Sequence, residues 1–311
     1  MKMIDPLVYA SPVFIVFILA EIIVSVKNEE HLYEVKDFIS SLSLAAGASL
    51  ITIFTKIITL SIFIFIYEST RVVRVQVLGY ETLGWAWWVW ILAILGDDLN
   101  FYWYHRLSHT IRILWAAHVV HHSSVHFNLG SALRNGWTTT FYKPIFWLWM
   151  PLLGFHPVMV ATCIAINSIY QFFLHTKKVS SLGILEHIFN TPHLHQVHHS
   201  CNMIYLDKNH GGILIIWDKL FGTYQQCQDL SILKFGLPKG PDTYNPIKIV
   251  LYEYSHMLND IKNVSGWKEK LKYIFYPPGW SHNGSTQTAS QLQKSLKHQE
   301  KEETRVNAKA K

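Results

Sequence analysis

Apolar residues fall in long blocks, near 8–26, 45–67, 84–104 and 141–174, separated by segments rich in charge and histidine. A helix needs about 20 mostly apolar residues to cross ~30 Å of hydrocarbon, and the first three blocks reach that length. The fourth is long enough for a hairpin. Pro151, Gly154 and the His156-Pro157 pair divide it into pieces too short for a full crossing, which predicts two short or partly inserted helices. From residue 283 onward the chain is polar, charged and free of aromatics. It cannot bury enough apolar surface to offset ordering, so 283–311 is expected to be a disordered tail. The pattern predicts an all-α integral membrane protein with one membrane domain over 1–282.

The first block has a weakly basic lead and no small-residue cleavage site before the charged KNEEH stretch, and reads as an uncleaved span. Three crossings and a returning hairpin then place 27–44, 105–140 and 175–282 on one face. Arg106, Arg112, Arg134, Lys143, Lys177 and Lys178 cluster there, and an excess of Lys and Arg in short flanks marks the cytosol. Arg71 and Arg74 in the 68–83 loop soften that bias. Glu21 and Lys56 lie inside apolar blocks and are expected to face protein or water.

Composition adds less. A hydrophobic content of 50% in 311 residues fits a large soluble domain as well as a membrane protein, so the distribution decides. The net charge of +6 is scattered between apolar blocks and in the tail, which suits an anionic leaflet better than nucleic acid. Cys163, Cys201 and Cys227 form no paired framework and fit a reducing compartment.

Histidine carries the chemistry. Of 18 in the chain, 14 lie between His105 and His210. HRLSH sets His105 and His109 four apart; HVVHH sets His118, His121 and His122 at i, i+3 and i+4; HQVHH repeats this with His195, His198 and His199. On helices each set projects from one face. A single histidine is more often structural than a ligand; three same-face clusters beside apolar blocks are not so explained. Eight imidazoles exceed the four ligands of one tetrahedral zinc, so two ions are the natural count. Iron with open positions suits O2 activation, whereas zinc would need hydrolytic chemistry and no HExxH glutamate is present. His175, where the fourth block ends, is a ninth candidate. His126, His187 and His193 are expected to be structural or supporting, and His31, His156, His210, His256, His282 and His298 unrelated. Asp98, two turns before His105, its neighbour Asp97 and, more weakly, Asn128 are candidates for holding the ring tautomers; for each an ordinary cap or turn role competes.

Three boxes in this order around a membrane hairpin resemble the fatty acid hydroxylase/sterol desaturase superfamily. DLNFYWYHRLSH, HHSSVHFNLGSALR, YQFFLHTKKVSSLGILEHIFNTP and HQVHHSCNMIYLDKNHGGILIIWDKLFGTY look like its alkylglycerol monooxygenase branch, a likeness covering roughly 35–282. It implies a membrane helical bundle with a cytosolic helical cap, in the endoplasmic reticulum, that uses O2, two iron ions and tetrahydrobiopterin. The implied reaction hydroxylates the ether-bearing carbon of an alkylglycerol, and the product collapses to a fatty aldehyde. The implied metal ligands are His105, His109, His118, His121, His122, His195, His198 and His199, with His175 matching the branch's additional histidine. Thr110 and Val125 replace acids of the branch, and Leu194-His195-Gln196 replaces its HHRVHH stretch. No GxGxxG or CxxCH motif is present, so the electrons come from a diffusible pterin or a partner carrier. The competing readings are a sterol or fatty-acyl oxidase or desaturase of the same superfamily, and a non-catalytic metal-binding membrane protein.

Overall fold

The computed structural model describes residues 6–309; the first five residues of the expected membrane domain and the last two of the tail lie outside them. Among the described residues it is helical without strands, and only two isolated bridges occur, Phe189 with Leu214 and Ser200 with Phe235. The first block forms α1, Pro6–Lys27, and the second forms α2, Val35–Ser69. Both are long and apolar enough to cross a membrane, and only 11% of the apolar window of each is buried, so neither is the core helix of a soluble fold. At ~1.5 Å per residue, α2 is far longer than a bilayer core. Its first turns are polar instead of apolar: Glu34 caps the start through Asp37 N, and Asp37, Ser40 and Ser41 are buried.

The segment 68–83, expected to be a loop, contains α3, Arg71–Leu78. Arg74 is buried there, donating to Glu81 O and Pro151 O and lying over Tyr67, so it anchors the far end of α2 and is not a free loop charge. The third block was expected to span over 84–104. It is carried by α4, Trp87–Thr110, whose apolar stretch ends at Gly96, only about 15 Å from its start. Asp97 and Asp98 follow, both buried, and the helix continues unbroken through the first histidine box. The fourth block breaks where expected. Short helical turns over 139–152 end at Gly154, whose φ of 95° requires glycine. The helix α6, Pro157–Phe173, then starts with the His156 ring accepting Val158 N and proline in the first turn.

Between them, α5 (Arg112–His122) folds back on α4. α7, Pro192–His199, is buried along its whole length. α8, Pro246–Lys262, covers α5, and Arg112 of α5 joins Glu253 and Asp260 of α8, each at 2.7 Å. α9 is Trp267–Phe275. The expected disordered tail instead holds α10, Ala289–Lys309. Leu292 and Leu296 on one face of it are half-buried, and Gln293 donates to Met203 O and Leu206 O. Two leucines a turn apart supply the apolar stripe that the tail's average polarity conceals.

Candidate metal centre

The helices bring the three boxes to one place. α4 presents His105 and His109 four residues apart, and α5 sends His118 and His122 to one side and His121 to the other. Thr191 caps α7 through Leu194 N, with Pro192 next; His198 then faces the first set while His195 and His199 face the second. His175, just past the end of α6, joins the second set. The result is two adjacent groups, His105, His109, His118, His122 and His198, and His121, His175, His195 and His199. In each, the ligand atoms lie within 4.8 Å of one another. His122 and His199 stack across the boundary with ring centres 4.3 Å apart.

Ring orientation follows from the outer nitrogens. Nδ1 of His105 donates to His210 O at 2.9 Å, of His121 to Arg134 O at 3.1 Å, of His175 to Gln171 O at 2.8 Å and of His198 to Lys208 O at 2.7 Å. Nδ1 of His109 lies 3.4 Å from Asp207 Oδ1. A ring that donates from Nδ1 leaves a lone pair on Nε2. Those lone pairs face inward: Nε2 of His175 is 3.0 Å from that of His121, 3.1 Å from that of His199 and 3.2 Å from that of His195. His105 and His118 approach to 3.1 Å, and His118 and His122 to 3.3 Å. The inward Nε2 atoms of His109 and His198 are buried with no partner at all.

Converging lone pairs repel unless a cation lies between them. Two imidazole nitrogens on one ion at about 2.1 Å are about 3.0 Å apart at a right angle and about 3.4 Å apart at the tetrahedral angle, which brackets the spacing found here. The site therefore fits a metal. Its all-imidazole donor set suits iron, copper, nickel or zinc and not magnesium or calcium. Burial is the main cause that holds all nine imidazoles below the usual histidine range, His121 at about 4, and neighbouring imidazoles add to it for most of the others. Neutral rings are the metal-binding form.

Neither Asp98 nor Asn128 touches an imidazole. Asp98 accepts from Ile213 N, Leu214 N and Trp217 Nε1 at 2.5, 3.0 and 2.9 Å, so it fixes the backbone after the third box. Asp97 receives Trp147 Nε1 and Asn167 Nδ2. Asn128 closes a turn with Ser131 N and donates to Leu32 O. Thr110 donates to Arg106 O within its own helix, and Val125 packs against Gly236. His193 is a structural ring, with both nitrogens engaged by Glu186 and Cys227 O. Glu21 faces protein as expected, accepting from Tyr33, Thr176 and Leu129 N.

The orienting groups that pattern reading missed lie in Asp207-Lys208-Asn209-His210. Asp207 and Asn209 have φ of 55° and 54°, a left-handed pair that turns successive groups toward the histidines. Asp218 locks this strap, accepting His210 N and Gly211 N, each at 2.7 Å, and Thr223 Oγ1 at 2.6 Å. Asn209 ties it to Leu194 O and Gln225 O. The signal was the Gly211-Gly212 pair, since a Cβ on Gly212 would strike the Asp98 carboxylate. His210 itself, expected to be unrelated, packs against His105, His109 and His198.

The family model for fatty acid hydroxylase matches residues 90–223, a segment that holds all nine of these histidines and the strap. That segment is similar to the fatty acid hydroxylase family over less than half of the chain. Alkylglycerol monooxygenase of Danio rerio is 38% identical over 273 residues, covering 88% of this chain and 59% of that protein. The Homo sapiens protein of the same name is 36% identical over 274 residues, covering 87% and 59%. Ornithine lipid hydroxylase OlsE of Rhizobium tropici is 31% identical over 153 residues, covering 47% and 45%. The chain thus spans less than two thirds of the length of these relatives. No solved structure matches it.

Proposed function

We propose that this chain is a di-iron membrane monooxygenase that hydroxylates a lipid, most closely the ether-bearing carbon of an alkylglycerol. The observation that carries this is the pair of adjacent all-imidazole groups within the segment that matches the fatty acid hydroxylase family model. One ion would be held by His105, His109, His118, His122 and His198, and the other by His121, His175, His195 and His199. Bound iron supplies the redox chemistry by which O2 and two external electrons put one oxygen atom into a C–H bond and release the other as water. The electron donor is tetrahydrobiopterin, as the alkylglycerol monooxygenase likeness suggests.

The protein's own side chains shape access. His118 and His121 are half-buried while the other seven imidazoles are buried, so the substrate carbon approaches beside these two rings. Trp115, 5.1 Å from the His109 ring, walls one side, and Phe127, stacked on His175 and Phe235, closes the other. These rings exclude water and receive an acyl chain. Hydroxylation beside the ether oxygen makes a hemiacetal, which collapses to a fatty aldehyde and glycerol without further help from the protein.

α1 and α2 cross the membrane of the endoplasmic reticulum, with the histidine groups on the cytosolic side. Supporting this, Asp37 at the start of α2 pairs with Arg134 beside the site, whereas the other end of α2 meets the 151–154 turn through Arg74. The test is iron-loaded protein with 1-alkylglycerol and tetrahydrobiopterin in air. Fatty aldehyde is the expected product. Its absence, with oxidation of a sterol or acyl lipid driven by a cytochrome donor, would transfer the protein to another activity of the superfamily, and metal binding without O2 consumption would make it a metal-holding protein.

A further inference from the structure

Residues 182–190 and 213–220 form one unit with an apolar outer face. Leu185 O accepts Ile188 N and Phe189 N, Ile213 O accepts Asn190 N and Ile188 O accepts Ile215 N, all at 2.8 to 3.1 Å. Ile184 is 82% exposed and Leu220 69%, and Leu182, Leu185 and Ile188 are exposed too. His187 apart, no polar side chain of 182–189 is exposed. The charges of the unit turn inward. Glu186 is buried and accepts from Thr191 and His193, Asp218 is buried at the strap, and Lys219 folds its ammonium onto Glu186 O and His187 O. A contiguous apolar patch of this kind marks a surface that meets something other than water.

Its depth in the fold says what covers it. Phe63 of α2 packs in one cluster with Val89 and Ala93 of α4. The two helices run in opposite directions, α2 away from the metal centre and α4 toward it. Asp98 lies about 10 Å farther along α4, and the same rise along α2 reaches residues 54–58, the middle of its 45–67 apolar block. Lys56 is the only charge in that block, and Phe54, Ile57 and Ile58 project from it with most of their surface exposed. Asp98 accepts Ile213 N, Leu214 N and Trp217 Nε1, so this part of the unit sits at the level of hydrocarbon. Backbone N–H groups at that level need partners from the protein, because acyl chains offer none. The Asp98 carboxylate and the bonds between the two segments supply them.

We propose that segments 182–190 and 213–220 dip into the membrane leaflet beside the metal centre and face its acyl chains. This rests on the reading that α1 and α2 cross the membrane. The stretch 175–282 is then not wholly outside the bilayer: the chain returns to it between the second and third histidine boxes and again after the strap. Each segment is too short to register as a span in sequence.

Spin labels in lipid bilayers test this without turnover. The full chain, with Cys201 changed to serine and its other two cysteines buried, carries one of Ile184→Cys, Leu220→Cys, Phe54→Cys or Lys239→Cys. All four positions are exposed, so the substitutions displace no packing. Collision of each label with O2, which concentrates among acyl chains, is compared with collision with a water-soluble nickel chelate. The O2-to-nickel ratios at Ile184 and Leu220 are expected to match that at Phe54 on α2 and to exceed that at Lys239 several-fold. A ratio at either site equal to that at Lys239, with Phe54 high, would overturn the inference and leave the crossing of α2 standing. Shielding of either label from both agents would also overturn it, because a protein surface such as a second copy then covers the face. A low ratio at Phe54 would overturn the crossing of α2 and this inference together.

Discussion

The two histidine groups are built from the same three boxes but held in different ways. In the four-histidine group His175 leans on a helix carbonyl, Gln171 O one turn back, and His121 on Arg134 O, an extended residue whose side chain is pinned to Asp37. The five-histidine group leans on an irregular strap, through Lys208 O, His210 O and the Asp207 carboxylate. A helix carbonyl is placed by its own hydrogen-bonded ladder. A strap in left-handed conformation needs locks, and here these are Asp218, the strap's own Asn209 side chain and, farther along, Asp98. The first group should therefore be sensitive to residues that never touch a metal.

The largest effect should come from His198→Ala. It removes a donor from the first group only, so metal analysis should fall from about two ions per chain toward one, with hydroxylation lost. A variant that keeps both ions would break the division between the groups. Arg134→Met should follow: it strands the buried Asp37 carboxylate, costing on the order of 3–5 kcal/mol, seen as a lower melting temperature in detergent. Asp218→Asn should weaken the first group about 10- to 100-fold in a chelator competition and leave the second unchanged. Equal weakening of both would show that the strap serves the whole centre.

Acid titration sharpens the comparison further. Each of the nine imidazoles in the two groups has a folded pKa below its unfolded value near 6.5, so the folded state binds fewer protons and its stability holds above about pH 6.5. It is lost as pH falls from there toward about 4, the value for His121. Melting curves of metal-free protein should show a steep decline over that window, and His118→Phe should flatten it. The smallest effect belongs to Thr110→Ala, whose hydroxyl bonds only within its helix; metal content should be unchanged, with stability shifted by no more than about 0.5 kcal/mol.

Much of this centre was legible along the chain. His105 with His109, and His118 with His122, share a face because helical periodicity is local and needs no tertiary information. The same rule leaves His121 and His198 ambiguous, since i+3 and i+4 neighbours diverge enough to serve different groups. The Asp97-Asp98 pair was visible as an anomaly in an apolar block, but its partners lie far ahead, at Trp147, Asn167 and 213–217. Composition misled at the tail, where overall polarity hid the stripe of Leu292 and Leu296 on α10.

Hydrophobic block length and histidine spacing are properties of short windows, so apolar helices and imidazole-bearing faces follow from the order of residues alone. Which imidazoles converge, which nitrogen each turns inward and why His210 lies beside them depend on contacts between segments tens of residues apart. Burial and backbone carbonyls set those choices, and neither exists until the chain has closed on itself.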